Sequence, residues 1–236
     1  MTGLVIAIDG PSGVGKSTIA KRLARSYALS YLDTGAMYRA ATIYARNQRL
    51  DLVDHDAVAA AIENMPLEIV MDPARPRVLL EGSELGAALY SADVSRIVSA
   101  VATNLKVRAL MKSWQRELIA AERDGGRSGG KGIVAEGRDI TTVVAPDADV
   151  RILLTASEDA RLTRRARQRL GSDDESSLAA TRDEVIRRDA DDSTVSNFTT
   201  AADGVITVDS SDLTPDQTFA ALAAIVDEAR AKRTRS

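Results

Sequence analysis

Cysteine is absent from this chain of 236 residues, and histidine and aromatic residues are scarce: one His, one Trp, two Phe and five Tyr. Without cysteine there is no disulfide framework, no thiolate metal site and no cysteine nucleophile. The single histidine, His55, lies in LVDHDAV between Asp54 and Asp56. It reads as a solvated residue at a helix start, not as a catalytic base. No apolar run approaches the ~20 residues needed to span a membrane. The N-terminus enters a strand pattern within a few residues, which leaves no room for a signal peptide and makes the cytoplasm the expected location. Positive charge is not in excess either: 31 Lys and Arg against 34 Asp and Glu give a net charge of −3. With so few aromatics, a nucleic-acid polymer is not an expected partner. No coiled-coil pattern or uncovered apolar stripe stands out, so a monomer is expected.

What is present is concentrated at the start. LVIAID (Leu4–Asp9) is an unbroken apolar run of strand length, as for a strand covered on both faces of a parallel sheet. IAKRLA begins a helix, with Ile19, Leu23 and Ala24 at helical spacing. Between them, Gly10, Pro11, Ser12, Gly13, Val14, Gly15, Lys16, Ser17 and Thr18 fill G-x-x-x-x-G-K-[ST]. The glycines let the backbone approach a polyphosphate closely, and the loop amides and helix N-terminus face the same anion. Lys16 can reach β- and γ-oxygens, and the Ser17 hydroxyl is placed to ligate Mg²⁺. A Gly-rich turn with a chance lysine would show the same letters, but the match lies in its required strand–loop–helix setting.

Strand and helix patterns then alternate. Leu29–Leu32 reads as a strand ending at Asp33, Thr34-Gly35 as a turn, Ala36–Arg49 as a helix and Asp51–Met65 as helical. LEIV (Leu67–Val70) and RVLLEG (Arg77–Gly82), separated by Pro73 and Pro76, read as an antiparallel insertion. Helical periods cover Asp93–Ala102, Leu105–Arg123, Ser176–Asp192 and Pro215–Lys232. Ile133–Glu136, Val150–Ala156 and Gly204–Asp209 are further strands. GGRSGGKG (Gly125–Gly132) reads as a flexible surface loop. Strands alternating with helices predict a parallel, doubly wound sheet.

Four stretches beyond the first loop carry chemistry. DTGAMYR follows a strand's C-terminal end, where open α/β sheets bind ligands, and offers Arg39 to an anion. Asp33 there is either a turn cap or an anchor for water on magnesium. EGRDITTVVAPDA sets Arg138 and Asp139 just past a strand, one an anion binder and one a hydrogen-bond acceptor. Arg161, Arg164, Arg165, Arg167 and Arg169 crowd one helix with no carboxylate interleaved. They repel one another unless an anion neutralises them, as in a mobile lid over a transferring phosphoryl group; RNA binding is the weaker alternative. In RRDADDSTV, Arg188 and Asp192 share a helix face at i,i+4.

IDGPSGVGKST, LDTGAMYR, EGRDITTVVAPDA and RRDADDST together resemble the bacterial cytidylate kinases, in the nucleoside monophosphate kinase branch of P-loop proteins. The resemblance covers essentially the whole chain. It implies a three-layer α/β/α fold with a parallel sheet, a small antiparallel β insertion and a helical lid. The implied core comprises residues 1–34, 103–156 and 203–236. Residues 35–102 would bind the nucleoside monophosphate, 157–175 form the lid and 176–202 an acceptor-side helix and loop. It further implies ATP and Mg²⁺ as phosphoryl donor and cofactor, with CMP or dCMP as acceptor. By position Thr34, Arg39 and Arg138 correspond to acceptor-phosphate contacts, and Tyr38 belongs to the same CMP site. Ser99, Arg108 and Asp139 correspond to cytosine readers, and Arg188 and Asp192 to groups near phosphate and ribose. Lys16 and one or two of Arg161, Arg164 and Arg165 would be catalytic. The family commonly carries an arginine three residues after the aspartate equivalent to Asp192, where this chain has Val195. A kinase of another small acceptor, and a nucleotide-dependent regulator, are the competing readings.

Overall fold

A computed structural model describes residues 2–235, without the side chains of Arg169, Asp183 and Glu184. Its main sheet has five parallel strands: β1 (Leu4–Asp9), β2 (Ser30–Asp33), β6 (Gly132–Gly137), β7 (Val150–Thr155) and β8 (Ile206–Asp209), in the order β2-β6-β1-β7-β8. The strands can pair in parallel because successive ones are joined by long crossover connections and not by tight turns. All six residues of β1 are buried, and so are those of β6.

The two faces of β1 feed separate cores. Ile6 and Ile8 pack with Leu23 of α1 (Lys16–Ser26) and with Leu222 and Val226 of α8 (Pro215–Arg235). Val5 and Ala7 face the opposite way, among Met37 of α2 (Thr34–Asn47), Ile62 of α3 (His55–Glu63) and Met111 of α5 (Leu105–Asp124). This two-residue alternation is what makes the fold three layers deep. The insertion is a three-stranded antiparallel sheet of β3 (Leu67–Val70), β4 (Arg77–Leu80) and β5 (Ser83–Glu84). A 3₁₀ turn (Gly86–Tyr90) then leads into α4 (Ala92–Ala102). The remaining helices are α6 (Glu158–Leu170) and α7 (Glu175–Ser193).

The helix after β2 begins at Thr34, so Thr34 and Gly35 are helical and not a turn. The Asp33 side chain accepts from the Ala36 amide at 2.9 Å and sets the helix start there. His55 does open a helix, and Asp54 caps it; the residues before them form a turn. The Gly-rich segment is fastened more than its composition suggests. The Glu122 carboxylate accepts from the amides of Arg127 and Ser128 at 2.8 and 2.9 Å, which folds the loop back onto the end of α5. A π-helical turn at Ile140–Val144 had no signal in the periodicity. Among the described residues, no helix is long and apolar enough to cross a membrane.

Candidate active site

The loop after β1 wraps the start of α1 with its glycines in conformations side chains avoid. Gly10 and Gly13 have φ of +152° and +82°, and a Cβ would lie 2.1 Å from the Leu154 carbonyl oxygen or 2.7 Å from that of Arg161. The second distance shows how closely α6 rides on the loop. Lys16 Nζ donates to the carbonyls of Gly10 and Pro11 at 2.7 and 2.8 Å. It is half-buried in the wall of a cleft, and desolvation together with the Arg138 charge lowers it to about 8.

Ser12 through Thr18 form one wall of a cleft of about 720 Å³. Its other walls carry Arg39 from α2, Arg138 beyond β6, Arg164, Arg165 and Arg167 from α6, and Arg188 from α7. Asp33, Glu136 and Asp212 contribute the carboxylates. Such a ring of cations on separate elements repels itself and is stabilised by a polyanion. Arg188 shows this most directly. Burial, with Arg39 and Arg138 nearby, lowers it to about 9. Its Nε makes no hydrogen bond among the described residues and lies 3.6 Å from Asp192.

The other predicted residues divide between this wall and its supports. Arg39 lines the cleft and is braced by the Leu89 carbonyl and Ser95 hydroxyl, each at 2.9 Å. Arg138 lies over the Phe198 ring, with Nε 2.9 Å from Asp192 and Nη1 2.8 Å from Asp189. The Thr34 hydroxyl donates to the Glu136 carbonyl at 2.7 Å. Thr34, Tyr38, Ser99, Arg108, Asp139, Arg161 and Asp192 are not part of the cleft wall. Ser99 is buried on α4, and Arg108 and Asp139 are ion-paired with each other, both largely enclosed. Tyr38 is pushed above its ordinary range by burial, with Arg108 and Asp139 nearby.

The α6 arginines diverge to different partners. Arg161 pairs with Asp189 and reaches the Ser12 carbonyl at 3.2 Å. Arg164 is engaged by the Ser210 hydroxyl at 3.1 Å and by the carbonyls of Ser210, Leu213 and Val14. Arg167 pairs with Asp173 at 2.6 Å. Arg165 lines the cleft, half-buried, and burial lowers its pKa. The Arg169 side chain lies outside the described residues.

Among the site residues missed in the sequence are Asp212 of the cleft wall and, with larger consequences, Glu136 and Asp189. Glu136, the last residue but one of β6, lies beside the P-loop strand, buried, and takes a 2.6 Å hydrogen bond from the Tyr31 hydroxyl. Burial, then the Asp33 charge, raises it to about 7 despite Lys16 and a hydrogen bond with Ser17. A carboxylate closing an apolar strand adjacent to the loop strand was the available signal. Asp189, one residue past Arg188 and i,i+3 from Asp192, was the other. Asp9 is also used: it accepts from the Ile140 amide at 2.9 Å and from the Thr141 amide and hydroxyl at 2.7 and 2.6 Å, fixing the segment after Arg138 to the P-loop strand.

A central parallel strand, a Gly-rich loop closing on Lys16 and a helix N-terminus at the mouth of a cationic cleft define a P-loop protein. The comparisons narrow the class. The family described as "Cytidylate kinase" matches residues 6–228. Proteins named cytidylate kinase from Rhodococcus jostii (strain RHA1) and Rhodococcus opacus (strain B4) are 45% and 44% identical to this chain. The first match covers 95% of each chain and the second 96% of each. One from Streptomyces avermitilis is 40% identical over 98% of this chain and 95% of its own. The chain belongs to the cytidylate kinase family.

Proposed function

We propose that the protein transfers the γ-phosphoryl group of ATP to CMP or dCMP, giving CDP or dCDP. The observation that carries this reading is the split of the cationic wall. The P-loop and Lys16 suit a donor triphosphate, while Arg39, Arg138 and Arg188, on other elements, suit a second phosphate facing it. Family membership supports cytosine as the base beyond that phosphate. Arg108 and Asp139 match its pattern: the carboxylate accepts from the exocyclic amine, and the guanidinium donates to O2 and N3. Uracil reverses the requirement at N3 and at position 4 and would leave buried groups unpaired.

The Ser17 hydroxyl and the Glu136 and Asp33 carboxylates suit a magnesium ion. Burial opposes ionisation of Glu136 beside a second carboxylate, and a divalent cation would relieve both. When bound, Mg²⁺ neutralises charge on the β- and γ-oxygens. The work of the chain's own residues is positioning and charge balance. Lys16 follows the donor oxygens, Arg165 supplies lid charge, and Arg39, Arg138 and Arg188 hold the acceptor phosphate in line. Residues 35–102 would form the acceptor-binding part and 157–175 the lid, whose closure excludes water as a competing acceptor.

The test is ADP release from ATP and Mg²⁺ with CMP, dCMP, UMP, AMP, GMP and shikimate offered separately. Turnover with CMP and dCMP and little with UMP is expected. Turnover with another acceptor would retain the kinase and discard the cytosine site.

A further inference from the structure

Asp189 joins four separate parts of the chain. Its Oδ1 accepts from the Ser12 amide at 3.1 Å and lies 2.8 Å from Arg138 Nη1. Its Oδ2 pairs with Arg161 Nη1, which also donates to the Ser12 carbonyl. One carboxylate on α7 therefore ties the P-loop, the segment after β6 and helix α6 to one another. The three side chains are largely enclosed, with exposures of 13–15%. At such burial, ion pairs are weakly screened and their geometry is held.

The partners are not equally dependent on it. Arg138 keeps Asp192 and the Phe198 ring if Asp189 is lost. Arg161 has only the Ser12 carbonyl besides Asp189 among the contacts described. Asp189 and Arg161 stand outside the cleft wall, whereas Ser12 and Arg138 are part of it.

We infer that Asp189 is a positioning residue for phosphoryl transfer, which fastens the lid helix through Arg161 to the P-loop and to Arg138, so that the donor and acceptor sides keep one alignment. This rests on the phosphotransfer reading above. Asn at this position keeps an oxygen for the Ser12 amide but presents an amide group to Arg161, donor facing donor, and releases that arm.

The experiment measures steady-state kinetics and melting of the parent, D189N, D189E, R161M and the D189N/R161M double variant. If the parent shows no CMP-dependent turnover, the functional reading fails first and is recognised as such. With an active parent, D189N should lower kcat at least tenfold, with KM for ATP and CMP changed less than about threefold, as for loss of alignment rather than affinity. D189E, which restores the charge, should recover part of kcat. The double variant should be no more than about twofold worse than the poorer single one, because both remove the same arm. An unchanged kcat in D189N, a loss confined to KM, or multiplying effects in the double variant would overturn the inference. If D189N does not fold, D189E and R161M decide it by the same split.

Discussion

Glu136→Gln is the perturbation whose outcome the structure fixes most closely. The carboxyl is buried and held at about 7 instead of 4.5, first by desolvation and then by Asp33. At ~1.4 kcal/mol per pH unit, this opposes the ionised form by roughly 3 kcal/mol. A carboxyl whose folded value is raised favours folding below about pH 4.5 and loses that contribution as pH rises to about 7. Gln keeps an oxygen for the Tyr31 hydroxyl and carries no charge. Lys16, which Glu136 attracts, loses part of its support, so the expected net gain is ~1–2 kcal/mol above pH 7, or ~2–8 °C in Tm for a chain of this size. Thermal melts of parent and variant, both free of ligand and with a chelator present, should show a gap near zero at pH 4.5 that grows to its full value by pH 8. The same variant should lose turnover. A variant no more stable than the parent at pH 8, or a gap of equal size at pH 4.5 and pH 8, would refute the reasoning.

Lys16→Ala should lower turnover by about 10²–10³-fold, the usual effect of removing one group aimed at developing charge. Its Tm should stay level or rise, since the ammonium is held below its ordinary pKa; near-normal turnover in a steady-state assay would rule out the P-loop role. Arg188→Met should raise KM for CMP by about 10–100-fold, as for a lost charged hydrogen bond, with a smaller change in kcat. It should also stabilise the ligand-free protein, because Arg188 is buried among Arg39 and Arg138; calorimetry showing lower stability would contradict this.

Much of this was legible in the letters because local rules coincided. LVIAID had to be a covered strand, GPSGVGKST had to be its loop, and the break at Pro73 and Pro76 marked the antiparallel insertion. The start of α2 was misread because Thr34-Gly35 looks like a turn until Asp33 is seen capping the Ala36 amide. Glu136 was read only as the end of IVAE. Its importance comes from the pairing of β6 with β1, which sets it beside Lys16 and Ser17, and pairing is a long-range fact. The arginine run of α6 was recognised as unusual, but not how its members would be shared. Arg161, Arg164 and Arg167 find partners on α7, on the segment after β8 and just beyond their own helix. Asp189 was passed over beside Arg188 because a carboxylate amid arginines in a helix resembles any surface ion pair.

The three hydrogen bonds gathered by Asp9 bear on what can move. They join the end of the loop strand to the residues following Arg138 and Asp139, so the footings of the two nucleotides belong to one block. Closure that brings ATP and CMP together then cannot come from sliding those footings past each other. On the proposed function it falls instead to α2, whose Arg39 stands on a cleft wall that neither Asp9 nor Asp189 ties to that block.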